Sequence, residues 1–198
     1  MQKTRWRFGL QGFVIGVFLA GAPLPLRAAD DYFSDTETRA NVYVAPVPCA
    51  IHKVALLPFK AQTELIGASV SDLLVTEVLR MGRYELVERS QMARVLGEAE
   101  LALAGLSAAR AAEVGTMLGA DGVIIGTVDE YGTVARRSHV IPVVGITARM
   151  IDCRSGKIVW SVDHARRAEN SDLTLPQHAR AVIHEMAAAL WKERGMRR

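Results

Sequence analysis

The chain has 198 residues, half of them hydrophobic and 23% charged, with a formal net charge of +3. That length suits one domain plus an extra segment, and the apolar content suffices for a core, which excludes a disordered chain. The basic excess sits in residues 1–28, which hold Lys3, Arg5, Arg7 and Arg27 and no acidic residue; the remainder has 20 basic against 21 acidic side chains, net −1, so the charge gives no case for nucleic-acid binding.

The first segment runs from a basic start through an apolar stretch, Phe8 to Ala22, broken only by Gln11 and glycines, to Pro23, Pro25 and Ala28. That order is the pattern of a secretory signal peptide. A membrane anchor is the competing reading. A spanning helix needs about 20 apolar residues; this run is shorter and ends in prolines, which favours a cleaved signal over residues 1–28 and a periplasmic mature chain. Cleavage after Ala28 leaves Leu26 three residues before the cut, whereas cleavage after Ala29 places Arg27 there. No Arg-Arg pair precedes the run, so general secretion is expected.

Residues 29–52 read as an extended arm, because Pro46 and Pro48 exclude helix, with Asn41–Val44 suited to a short edge strand. The α/β domain is expected over 53–198. "KVALLPF" (53–59) is a strand buried on both faces. A helix follows from about Leu65 to Met81, with Ile66, Val70, Leu74 and Val78 at helical steps and Gly82 as its stop. "YELVERSQMARVLGE" (84–98) is a strand running into a helix that Ser90 caps, with Met92, Val95, Leu96 and Ala99 on one face. Gly105 breaks that helix. Ser107 caps the next, which turns Ala111, Val114, Met117 and Leu118 inward before Gly119.

"ADGVIIGTVDEYG" (120–132) is a third buried strand. "VVGITARMID" (143–152) and "KIVWSVDHA" (157–165) form an antiparallel pair around the turn "CRSG". Thr174 and Pro176 open a final helix with Ala179, Val182, Ile183, Met186, Leu190 and Trp191 inward. The order β-α-β-α-α-β-β-β-α predicts an α/β (α+β) fold, a mixed sheet of about five strands with helices packed against it. The expected strand order is 2-1-3-4-5.

Chemistry is sparse. No phosphate-binding glycine loop occurs, and Ser90 stands in no nucleophile elbow, so capping accounts for it. His178 and His184, six residues apart, fall on nearly opposite sides of the last helix. Cys49-Ala-Ile-His52 has ligand-like spacing but no second pair completes a metal site. No catalytic residue, metal site or cofactor is assigned. Asp129 and Glu130 read as a solvated strand end. Cys49 and Cys153 form one disulfide in an oxidising compartment, or stay unpaired; in the expected strand order both lie on one sheet edge, so the bridge is geometrically open. Val47-Pro48 before Cys49 rules out acylation there. A tip carrying Arg136, Arg137 and His139, followed by Val140 and Ile141, reads as a partner-contact surface or as a soluble turn.

"KVALLPF", "YELVERSQMARVLGEAELALAGL" (84–106), "GTMLGADGVIIGTV" (115–128) and "RMIDCRSGKIVWS" (149–161) together resemble the CsgG-type family of bacterial envelope proteins, in the family's order across residues 53–165. The resemblance implies a fold similar to the periplasmic domain of the curli secretion channel, and kinship with an outer-membrane lipoprotein that activates a penicillin-binding protein. Neither is an enzyme. The chain departs from those relatives in lacking an acylation motif after its leader. Glu130–Pro142 is also too short for a membrane hairpin, whose two strands need about 9–11 residues each. The expected function is that of a non-enzymatic periplasmic accessory protein that assists assembly or regulation of an envelope machine (a secretion system, a surface appendage or a cell-wall synthase) through protein contacts. The alternative is a ring-forming component of an outer-membrane secretion channel. The partner is an envelope protein and not nucleic acid. The mature chain is expected to have no membrane span, with outer-membrane association through a partner and self-association both open.

Overall fold

A computed structural model describes residues 39–46, 50–97, 106–136, 139–169 and 172–195. The elements run β1 (Asn41–Val44), β2 (Lys53–Leu56), α1 (Glu64–Arg80), β3 (Glu85–Leu86), α2 (Arg89–Leu96), α3 (Ala108–Met117), β4 (Gly122–Arg136), β5 (His139–Asp152), β6 (Ile158–Arg167) and α4 (Leu175–Glu193). One mixed, open sheet has the order β1-β6-β5-β4-β2-β3. β2 is parallel to β3 and β4, as helical crossovers require, and β4, β5, β6 and β1 are antiparallel. The five expected strands take the expected order. The segment read as an arm supplies a sixth, β1, at the β6 edge.

The alternation of β2 divides the core into two layers. Val54 and Leu56 face α1 and α4, together with Ile124, Met150, Trp160 and Ile183. Ala55 and Leu57 face the opposite side, with Val123, Ile125, Met92, Ala111 and Val114. A strand buried on both faces is why "KVALL" shows no polar alternation. Regular pairing of β2 ends at Leu56, where Pro58 approaches. The chain still follows β4, because Leu57 N–H donates to Ile124 and Lys60 N–H to Gly126.

Two helices depart from their expected faces or caps. α3 is capped by Ser107, whose hydroxyl accepts from Arg110 N–H at 3.3 Å, and Ala111, Val114 and Leu118 are buried. Met117 is 53% exposed, because the layer beneath α3 is satisfied by the smaller Ala111, Ala112 and Val114. α2 begins at Arg89 with Glu88 as N-cap, so Ser90 lies in the first turn and caps nothing. The reason is tertiary: Val87 N–H bonds to Val54, and Glu88 is the last extended residue before Gln91 and Met92 donate to its carbonyl. Met92 is buried and Val95 exposed; Ala99 and Gly105 lie outside the described residues.

α4 behaves as expected up to Leu190, while Trp191, expected inward, is only half-buried at the helix end. Thr174 and Gln177 form a capping box, Pro176 sits in the first turn, and Ala179, Val182, Ile183, Met186 and Leu190 are buried. No helix among the described residues is long and apolar enough to cross a membrane.

Candidate functional site

Each stretch that carries the resemblance holds the sheet together. In the 84–98 corner, Val87 and Met92 enter the second core layer, while Ser90 is exposed and Glu88 places a carboxylate at the helix start, opposing an anion site. In "LGAD", Gly119 ends α3 in the left-handed region (φ 66°). Asp121 then reaches across the sheet, where one carboxylate oxygen accepts the backbone N–H of Lys53 (2.9 Å) and of His52 (3.1 Å). These two bonds, the Lys53 one first, lower the Asp121 pKa from 3.8, with the nearby charges of His52 and Arg154 acting in the same direction.

A depressed carboxyl pKa stabilises the fold above the unfolded value, and the contribution is lost as pH falls through the folded one. The gap in stability between the wild type and Asp121→Asn should therefore be constant at neutral pH and shrink below about pH 3.8, measured by urea unfolding across pH. A gap unchanged down to pH 2 would refute the assignment.

In "D-x-x-S-G-K", Asp152 Oδ1 accepts from Arg154 N–H (2.9 Å), Ser155 N–H (2.7 Å) and Ser155 Oγ (3.0 Å). Gly156 follows at φ 67°. The motif is a side-chain-stapled turn joining β5 to β6. Cys153 sits in it with its Sγ against Gly115 of α3. Burial first, then the carboxylates of Asp152 and Asp121, push its thiol up to about 11, the opposite of what a nucleophile needs. In reduced protein at pH 8, Cys153 should alkylate slowly and speed up sharply in denaturant; equal rates in both would contradict this environment. Cys49 lies outside the described residues, and the disulfide pairing with it.

The basic tip closes the long β4–β5 hairpin, where Arg136 pairs with His139. His139 is exposed and Val140 is 58% exposed. Ile141 is only 2% exposed, so as a contact residue it is corrected: it is too buried to serve as one in this chain. Arg137 and the side chain of Arg136 lie outside the described residues. Asp129 is corrected too. β4 continues to Arg136, and Asp129 occupies a bulge between Val128 and Glu130, where its carboxylate accepts from Thr127 Oγ1 (3.0 Å) and Thr147 Oγ1 (2.9 Å).

A cluster that sequence reasoning missed ties β6 to α4. Buried His164 Nε2 donates to Glu185 Oε2 at 2.7 Å, and Arg166 Nη1 pairs with the other oxygen of Glu185. His178 Nε2 donates to the Arg166 carbonyl at 2.9 Å, and Arg166 Nη2 reaches Glu169 at 3.2 Å. The available signal was phase: His164 follows Trp160 and Val162 on the inward side of β6. On the same helix, exposed His184 meets the buried carboxylate of Glu77, which also takes Arg80 at 2.5 Å. Among the described residues no three His, Cys, Asp or Glu side chains gather to hold a metal ion.

Solved structures share this fold. The PelC dodecamer from Paraburkholderia phytofirmans superimposes with a TM-score of 0.55 at 21% identity, covering 76% of this chain and 96% of that one. Lipoprotein GNA1162 from Neisseria meningitidis gives 0.54 at 18% identity, covering 73% and 98%. No curated protein sequence matches the chain. The family model described as the curli production assembly/transport component CsgG matches residues 50–176. With its signature residues accounted for as sheet staples and a stapled turn, the chain belongs to the CsgG family.

Proposed function

We propose that this protein is a non-enzymatic accessory component of the bacterial envelope, exported to the periplasm, that assists assembly or regulation of an envelope machine through protein contacts. One observation carries the reading. The family's signature side chains, Asp121, Asp152, Val87 and Met92, are spent on backbone hydrogen bonds and packing. The thiol beside them is held protonated by its surroundings. A scaffold arranged this way offers surfaces rather than reacting groups.

The experiment is osmotic-shock fractionation of cells carrying a C-terminally tagged chain, followed by N-terminal sequencing and crosslinking through Val140. The expected product is periplasmic, begins at Ala29 and crosslinks to an envelope protein. Retention in the cytoplasm sinks the proposal. The same material tests the Cys49–Cys153 bridge, which we also propose: unreduced protein should weigh two hydrogens less than the free-thiol form.

The likeness to a dodecamer supports a second reading, a ring-forming component of an outer-membrane channel with another chain supplying the membrane wall. Light scattering separates the two. A monomer or dimer favours the accessory protein, and a discrete high-order ring favours the channel component.

A further inference from the structure

β1 is the outermost strand on its side of the sheet. Two hydrogen bonds set the phase of its ladder. Ala168 N–H donates to Pro142 at 2.8 Å, so even-numbered β6 residues bond toward β5. Ala45 N–H donates to Val159 at 2.9 Å, so odd-numbered β6 residues bond toward β1. Asn41 and Tyr43 are thereby bonded inward, opposite Asp163 and Ser161. The N–H and C=O of Val42 and Val44 point away from the sheet, and no strand among the described residues pairs with them.

Native edge strands are normally guarded by shortness, lysine, proline, a bulge or an inward charge. β1, four residues long, is guarded by its shortness and by Arg39 and Pro46 outside its ends, while the strand itself carries no charge, proline or bulge. From Ala40 to Ile51 there is no charged side chain, in a chain that is 23% charged. Asp163, opposite Asn41 on β6, is engaged within the subunit by the Asn41 amide at 3.2 Å. Tyr43 is 54% exposed and lies opposite Ser161, which is too small to cover it.

We propose that β1 is a self-association edge, pairing antiparallel with β1 of a second copy about a two-fold axis at Tyr43. In that register Val42 of each copy exchanges both backbone bonds with Val44 of the other. The two Tyr43 residues meet in the close, non-hydrogen-bonded position, with Cα atoms about 4.5 Å apart. A one-residue slip turns every side chain to the wrong face. A two-residue slip one way sets Pro46, which has no N–H, opposite Val42; the other way it parts the tyrosines. The uncharged strip suits its own copy, since like meets like without repulsion, whereas a charged strand finds no counter-charge there. So short an edge belongs to the weak, concentration-dependent class of interfaces. The proposal is independent of the export and partner reading.

The test is sedimentation of the purified chain over a concentration series, with oxidative crosslinking as a second arm. The wild type should move from monomer to dimer. Val42→Pro removes an outward N–H while leaving the bonds of Asn41 and Tyr43 to β6, and should remain monomeric at the same concentrations, with a modestly lower melting point because the Val42 side chain also packs against the core. In a Cys49→Ser, Cys153→Ala background, Tyr43→Cys should form a disulfide dimer, because paired Cα atoms at that spacing suit the bond. Asn41→Cys, which faces Ala45 across the axis, should not. A monomer at every concentration, an assembly insensitive to Val42→Pro, or equal crosslinking of the two cysteine variants overturns the proposal. The crosslinking arm decides even if the proline variant fails to fold.

Discussion

Trp160→Ala is expected to lower the unfolding free energy by about 3–5 kcal/mol, the range for emptying a large aromatic site in a core. Trp160 is 1% exposed and sits on β6 between Val44 of β1 and Met150 of β5, in the same core layer as Met186 and Leu190 of α4. Its removal unsupports three elements at once. A domain of this size has about 5–15 kcal/mol of stability in all, so a melting point lower by roughly 10 °C is the expected readout. Trp160→Phe provides the contrast. Trp160 Nε1 has no hydrogen-bond partner among the described residues, so phenylalanine keeps most of the volume and discards a buried N–H that they leave unpaired. Its cost should stay below about 1.5 kcal/mol. Equal losses in the two variants would mean that packing is not what Trp160 supplies.

Gly67→Ala should be comparably damaging, although alanine is the better helix former by about 1 kcal/mol. Gly67 lies in the first turn of α1, where a Cβ lands on the carbonyl oxygen of Phe59 and 3.1 Å from its carbonyl carbon. That neighbour is backbone, held at the end of β2 by the bonds of Leu57 and Lys60 to β4, and cannot rotate aside. α1 has to lift off the sheet, at a cost toward or beyond the upper end of the 1–3 kcal/mol typical of overpacking. Gly82→Ala, where nothing among the described residues lies within 4 Å of the Cβ, meets only backbone strain at φ 64° and should cost less. Urea midpoints of the two variants decide the matter, and a Gly67→Ala protein as stable as wild type would show that α1 does not approach Phe59 this closely.

Much of the architecture was legible in the chain because its causes are local. Val70, Leu74 and Val78 recur at helical steps; Val144, Ile146, Ala148 and Met150 alternate; Thr174 and Pro176 mark a helix start. Strand order followed because a short connection permits only antiparallel neighbours and a helical crossover permits only parallel ones. The departures have tertiary causes. Met117 satisfied the helical stripe, yet the surface under α3 was already filled by smaller residues. Asp129 looked like the end of a strand because a bulge interrupts the alternation without ending the ladder.

The candidate surface was less legible. The basic tip could be located from its charges, but the burial of Ile141 beside exposed Val140 depends on what packs on each side of the ribbon. The β1 edge drew notice only as a short strand; which of its backbone groups face outward is fixed by its phase against β6.

Family membership, the two-sided burial of β2 and the strand order were settled by the residues in succession, since periodicity, caps and turn signals act over a few positions. The partners of polar side chains were not. Asp121 binds an amide 68 residues away, His164 meets Glu185, and Glu77 meets His184 107 residues away. Whether such a group is a solvated charge, a staple or a reacting site depends on which distant atoms the closed fold brings within hydrogen-bond reach, and that exists only once sheet and helices have packed.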